Sequence, residues 1–243
     1  MIQDFTAIDL ETTGLDPKRD KITEIGAVRV REGKITEHFS TLVNPGRKLT
    51  EQIISLTGLQ DEELSNAPEP TEAIPQLLDF LGEDVLLGHS VLFDYSFIKR
   101  AAVNQGFMFE KEAIDTLHIA RKFLPELESR GLPFLCRHYG IPHQAHRALE
   151  DAEATVRLYF ILAEQFGAEC SSSETDEQAQ KDLFRPKQLV YGVKRESPIR
   201  KQQKERLYQL LQLHGIEPLY DVEKLTRNEA SRYIDQIRGG NYS

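Results

Sequence analysis

The stretch DFTAIDLETTGLD, residues 4–16, decides the fold. Its side chains alternate, placing Phe5, Ala7, Asp9 and Glu11 on one face and Thr6, Ile8 and Leu10 on the other, as a β-strand does. Asp9 and Glu11 then point the same way from its C-terminal end.

Working outward, ITEIGAVRVREGKITEHFSTLVNP (residues 22–45) reads as two β-rich segments joined at Glu32-Gly33-Lys34, an antiparallel hairpin beside the first strand. LTEQIISLTGL and TEAIPQLLDFLG read as helices, VLLGH as a short buried strand, and FDYSFIKRAAVNQG as a helix ending at Gly106. A strand near Ala113 to Asp115 is followed by helices over Leu117–Phe123 and Leu132–Tyr139. The last long helix, Ala148–Phe166, carries Ala152, Thr155, Val156, Tyr159 and Ala163 at helical spacing. Strands followed by alternating helices and strands make a mixed α/β layer fold.

Residues 168–184 form an expected linker: ECSSSETDEQAQKD is polar and acidic, and too poor in apolar surface to offset the entropy of ordering. Residues 185–243 form a small module in which a basic stretch (Arg185, Lys187, Lys194, Arg195, Arg200, Lys201, Lys204, Arg206) precedes two amphipathic helical segments separated by Gly215 and Pro218. The main domain is then residues 1–167. In the module, Gln209 to Leu213 reads as the apolar face of a helical hairpin, and the basic stretch as contact with nucleic-acid phosphates or as a solvated surface.

Composition narrows the function. A net charge of −9 excludes coating nucleic acid by bulk electrostatics, though not binding an end through cations. No apolar run approaches the ~20 residues of a membrane span, and the N-terminus lacks the pattern of a secretory signal, so a cytoplasmic protein is expected. Cys136 and Cys170, the two cysteines, offer neither a disulfide scaffold nor a zinc spacing.

The chemistry-bearing residues lie in three separate places: Asp9 and Glu11 in AIDLETTGLD, Asp94 in GHSVLFDYSFI, and His146 and Asp151 in HRALEDAEA. Carboxylates gathered from distant parts of a chain repel one another unless cations neutralise them. Hard oxygen ligands without cysteine suit Mg²⁺ or Mn²⁺, and a pair of such ions serves phosphodiester hydrolysis. In that scheme Asp9 bridges two divalent cations, with Glu11, Asp94 and Asp151 as the other ligands. His146 lies five residues before Asp151, an offset that a continuous helix would turn well away, so it belongs on the loop leading into the helix. Histidine titrates near ~6.5 when unperturbed, which suits it to take the proton of the attacking water. Each residue alone has a plainer reading: solvated charges for Asp9, Glu11 and Asp151, a helix N-cap for Asp94, a surface histidine for His146. Their conjunction and order favour the metal site. His89 and Asp115 are expected to be structural hydrogen-bonding residues. His118, His138 and His143 lack a metal spacing.

These motifs resemble the DEDD exonucleases, in the branch whose third motif carries histidine, which includes the proofreading epsilon subunit of bacterial replicative polymerase. DxETTG matches Asp9 to Gly14, the middle motif His89 to Asp94, and HxAxxDA His146 to Ala152; ISLTGL and Asp115-Thr116 are also similar. The resemblance covers about residues 4 to 167 and implies a ribonuclease H-like mixed sheet flanked by helices. It further implies two Mg²⁺ or Mn²⁺ ions and release of nucleoside 5'-monophosphates from 3' ends. Thr12, Thr13 and Gly14 would cradle the terminal nucleotide. Ser90 departs from the pattern, since many relatives carry asparagine there. DNA is the expected substrate, with an exoribonuclease resembling ribonuclease T or oligoribonuclease as the alternative and a non-catalytic binding module as the other class. Gln180-Lys181-Asp182-Leu183-Phe184 resembles the short peptide by which bacterial proteins dock on the sliding clamp; the alternative is that Leu183 and Phe184 pack onto a domain. A sliding clamp or DNA polymerase is thus an expected partner.

Overall fold

The computed structural model describes residues 2–167 and 182–240, and of Asp182 only the backbone. β1 (Phe5–Thr12) pairs antiparallel with β2 (Ile22–Arg31), which pairs antiparallel with β3 (Lys34–Leu42). The β2–β3 turn falls at Glu32 and Gly33, both left-handed with φ of 50° and 73°. Three helices follow: α1 (Glu51–Thr57), the short α2 (Asp61–Ser65) and α3 (Pro70–Leu81). β4 (Leu86–Gly88) returns parallel to β1 and leads directly into α4 (Val91–Gln105). β5 (Glu112–Asp115) lies parallel to β4 and is followed by α5 (Thr116–Phe123), α6 (Leu132–Tyr139) and α7 (Ala148–Phe166). The described sheet has the order β3-β2-β1-β4-β5-β6, with β6 the short strand Lys187–Gln188, a mixed sheet flanked by helices as expected.

Alternation along β1 divides the core in two. Phe5 and Ala7 join Val28, Val30 and the inner face of α7, where Ala152, Val156 and Tyr159 are buried. Ile8 and Leu10 pack on the other face with Ile74 and Leu77 of α3 and Tyr95 and Ile98 of α4. Asp9 and Glu11 therefore continue the α7 side of the strand, at the end where that apolar face gives out. Burial of these two sets removes the largest block of apolar surface from water, at roughly 25 cal/mol per Å².

The chain beyond the linker differs from the expectation of a module starting at residue 185. Leu183 and Phe184 form a single 3₁₀ turn with Asp182, and Phe184 is buried with its ring 6.0 Å from that of Phe123. Lys187–Gln188 is β6, antiparallel to β5, so the segment adds the sixth strand to the sheet. Its side chains are exposed and it is two residues long, so no periodicity announces it. Gln180 and the linker through Lys181 lie outside the described residues.

The helical hairpin comprises α8 (Lys201–His214) and α9 (Arg227–Arg238) around a small core of Leu207, Leu210, Leu211, Val222, Leu225, Ile234 and Ile237. Leu213, expected on the apolar face, is instead exposed. The hairpin is fastened to the main domain. The Lys48 amide donates to the Leu219 carbonyl at 3.0 Å, and Lys21 Nζ reaches Glu229 Oε1 at 2.5 Å. Lys224 pairs with Glu69, and Arg100 with Glu196 at 2.7 Å. A cleft of about 800 Å³ runs along this seam, bordered by Phe97, Asn104, Tyr220 and Tyr233, away from the carboxylates of β1. Among the described residues no helix is long and apolar enough to cross a membrane.

Candidate active site

β1 delivers Asp9 and Glu11, and α7 delivers Asp151 from its first turn. One oxygen from each of these three carboxylates lies within 4.8 Å of the others. The approach of α7 depends on Gly26 of β2, since a Cβ there would stand 2.2 Å from the carbonyl carbon of Ala148. With glycine at that register, the helix start rests on the strand and Asp151 reaches the end of β1.

Asp94 enters from the other side. It is buried in the first turn of α4, and its Oδ1 accepts the amide of Leu10 at 3.0 Å. The carboxylate is thus tied across to β1 and is not the N-cap of its helix, a position that Ser90 occupies at φ 76°. The Ser90 amide donates to Asp115 Oδ1 at 3.0 Å, and the same oxygen accepts the Leu117 amide at 2.9 Å. Asp115 therefore caps α5 and pins the turn that launches Asp94. His89 bonds Thr116 Oγ1 at 2.9 Å and the Arg130 carbonyl at 2.8 Å, and burial lowers its pKa, so both residues have the structural role read for them.

The electrostatics set the cluster apart. Burial holds the Asp9 carboxyl well above the usual carboxylate range, and Asp94, Asp151, Glu11 and Glu24 add to the rise. Glu11 is pushed up to about 7, first by burial and then by Asp151 and Glu24, with Arg147 opposing. Burial also raises Asp94, although the amides that it accepts work against this. Acids so crowded are uncharged or mutually repelling near neutral pH unless a cation joins them. Hard oxygen donors in this state fit a divalent metal.

His146 sits on the loop before α7, as its spacing requires, in the left-handed region at φ 68°. Its side chain is 40% exposed, and its Nδ1 lies 3.9 Å from Glu11 Oε1. Its amide donates to Asp151 Oδ2 at 2.9 Å. The other oxygen of Asp151 is engaged by His143 Nε2. His143 has no metal spacing in the sequence, and only the fold of the loop brings it here. Glu24 belongs to none of the sequence motifs, yet it is 2% exposed and directly opposite Glu11 in the β1–β2 register. Its signal was present: a charged residue on the same face as Gly26 and Val28 within an apolar strand.

Thr12, Thr13 and Gly14 leave β1 in a tight loop. Thr12 Oγ1 donates to the Gly14 carbonyl at 2.6 Å, and the Lys21 amide donates to Thr13 Oγ1 at 3.0 Å. Leu15, the next residue, is 84% exposed. All five residues of the expected constellation and the loop beside them therefore meet at one end of the sheet; Leu183 and Phe184 pack elsewhere, against the core around Phe123.

A family described as "Exonuclease" matches residues 6–159, the stretch that contains Asp9, Glu11, Asp94, His146 and Asp151. The chain belongs to the exonuclease family. The chain is 37% identical over 163 residues to the DNA polymerase III subunit epsilon of Aquifex aeolicus, covering 66% of the chain and 81% of that relative. It is 32% identical over 249 residues to the PolC-type DNA polymerase III of Oceanobacillus iheyensis, covering 97% of the chain but 17% of that relative. The chain thus spans less than a fifth of the length of the PolC-type relatives that it matches. Its fold is that of exonuclease X in complex with 5' overhanging duplex DNA, at a TM-score of 0.56 and 24% identity over 74% of this chain and 98% of that one. Exonuclease I shares the fold at a TM-score of 0.61 and 20% identity, over 68% of this chain and 41% of that one. The resemblance to the epsilon-like DEDD group read from the motifs thus holds across the main domain.

Proposed function

We propose that the chain is a metal-dependent 3'-to-5' exonuclease that releases nucleoside 5'-monophosphates from DNA 3' ends in proofreading or repair. The observation that carries this reading is the convergence of Asp9, Glu11 and Asp151, from two distant elements, beside a half-exposed His146. Asp9, Glu11, Asp94 and Asp151 would hold two Mg²⁺ or Mn²⁺ ions, which when bound neutralise the scissile phosphate and lower the pKa of water.

The chain's own residues supply the rest. His146 faces solvent and accepts the proton of the attacking water, passing it to bulk. The backbone of Thr12, Thr13 and Gly14 receives the terminal nucleotide, and exposed Leu15 offers apolar surface to its base. Asp94 does two tasks, since one oxygen keeps β1 and α4 in register while the carboxylate faces Asp9.

DNA is favoured over RNA because the relatives named above are DNA polymerase subunits and a DNA-bound exonuclease. Such a substrate implies a cytoplasmic protein that meets a polymerase or sliding clamp. Clamp capture through Gln180, Leu183 and Phe184 requires Phe184 to leave Phe123 and the core around it. Leu183→Ala or Phe184→Ala that weakens clamp binding without lowering Tm would support that docking, and a drop in Tm with clamp binding intact would assign both side chains to packing.

The deciding experiment is a gel assay of 5'-labelled and 3'-labelled DNA and RNA of one sequence, with Mg²⁺ and with chelator. Mononucleotide release from 3' ends of DNA, abolished by chelator, is the expected result. Cleavage confined to RNA, or none at all, overturns the reading.

A further inference from the structure

Glu24 is the most buried acid facing the site, and the scheme above gives it no task. Its surroundings assign one. Two residues along β2 from Gly26, its carboxylate meets the turn that precedes α7. Arg147 donates to Oε1 from Nε at 3.3 Å and from Nη2 at 3.2 Å, and the Ala148 amide lies 3.4 Å from Oε2.

Ala148 is the first residue of α7, so its amide has no partner within the helix. Arg147 occupies the N-cap position and supplies no side-chain cap. Glu24 fills that role from across the sheet, where a carboxylate also suits the positive end of the helix dipole.

His146 is the next residue back. A left-handed histidine is strained and persists where its surroundings over-determine it. Here they do: the His146 amide is bound by Asp151, and Arg147 is held by Glu24. The imidazole itself is half-exposed, so packing alone does not fix its direction, and the backbone turn does.

We propose that Glu24, acting through Arg147, is a positioning residue that fixes the His146 turn and holds the imidazole beside the carboxylate cluster. This rests on the proton-accepting role given to His146 above. Glu24 then governs the chemical step, and leaves metal and substrate binding to Asp9, Glu11, Asp94, Asp151 and the Thr12–Gly14 loop.

The test measures kcat, KM and the Mg²⁺ half-saturation point on 5'-labelled single-stranded DNA, with Tm, for the parent, E24Q, R147Q, H146A and the E24Q/H146A double variant. R147Q breaks the same contact from its half-exposed side and so keeps the assignment testable should E24Q fold poorly. The expected result is a fall in kcat of about tenfold in E24Q and R147Q, as displacement of a catalytic group produces, with KM and Mg²⁺ half-saturation within about twofold of the parent. In the H146A background, E24Q should add less than about a twofold loss. An equal loss with and without His146, an unchanged kcat, or a severalfold rise in the Mg²⁺ requirement each overturns the assignment. An inactive parent would overturn the nuclease reading itself, whereas an active parent with indifferent E24Q and R147Q removes only the role of Glu24.

Discussion

Glu11 and Glu229 are both buried glutamates at places where separate parts of the chain meet, yet their surroundings treat them in opposite ways. Glu11 is pushed up to about 7 by burial, Asp151 and Glu24. Glu229 is hidden too, at 4% exposure against 9% for Glu11, but burial is outweighed by Lys21 and by the amide and hydroxyl of Thr226, and its pKa is lowered. The first acid stands among like charges; the second is paired and capped. A paired buried acid fastens a hairpin to a domain, whereas crowded acids carry an electrostatic cost that a proton or a bound cation must relieve. This contrast, more than burial alone, separates the candidate active site from the seam.

The largest effect should come from neutralising one acid of the crowded cluster. Asp9→Asn is expected to cut exonuclease turnover by about three orders of magnitude or more, while the chelated protein melts at a higher temperature because one repelling charge is gone. Steady-state rates and thermal melts check both halves. An active variant, or one that melts lower, would break the contrast. Next in size is the response to metal. Ions at about 100 times their Kd should stabilise the parent by about 2.7 kcal/mol, and this rise in Tm should shrink in Asp9→Asn and Asp151→Asn. If Glu229→Gln lost the same rise, the two regions would not be distinct.

At the seam the expectation reverses. Glu229→Ala removes the partner of Lys21 and the reciprocal cap on Thr226, and should lower stability by about 1 to 3 kcal/mol with turnover on short DNA within about twofold. Chemical denaturation together with the exonuclease assay reads both. A large loss of activity without loss of stability would place the hairpin in catalysis.

What the sequence disclosed and what it hid follow from range. Alternation in residues 5–11 gave β1 and the shared direction of Asp9 and Glu11, because side-chain direction in a strand depends on nothing beyond the strand. The offset between His146 and Asp151 gave the loop before α7 for the same reason. The exonuclease motifs added the grouping that no local pattern contains. Hidden were features that exist only once distant elements meet. Glu24 acquires meaning from its register against Glu11 and from the helix start seated on Gly26. His143 reaches Asp151 by the path of a loop. In the sequence Phe184 reads either as an anchor for a partner or as packing onto a domain, and its neighbour Phe123 is visible only in the fold; two-residue β6 is too short to show a period.

The smallest effect, a shift of Tm of about a few degrees, should carry the clearest sign. Glu11 has a folded pKa of about 7 against an ordinary value of 4.5, so between these the folded metal-free protein binds more protons than the unfolded chain. Its contribution is present below about pH 4.5 and is lost as pH rises through about 7. Glu229 runs the other way: its folded pKa lies below 4.5, so its contribution is present above that value and is lost as pH falls through the folded pKa. Thermal melts in chelator across this range, for the parent, Glu11→Gln and Glu229→Gln, separate the two. Relative to the parent, Glu11→Gln should gain Tm as pH rises through about 7, and the deficit of Glu229→Gln should narrow as the solution is acidified below 4.5. Saturating Mg²⁺ should flatten the first trend and leave the second unchanged, because only the crowded acids have a cation to gain. Parallel slopes in the two variants would mean that both glutamates answer to burial alone, and the distinction between a fastened acid and a functional one would fall.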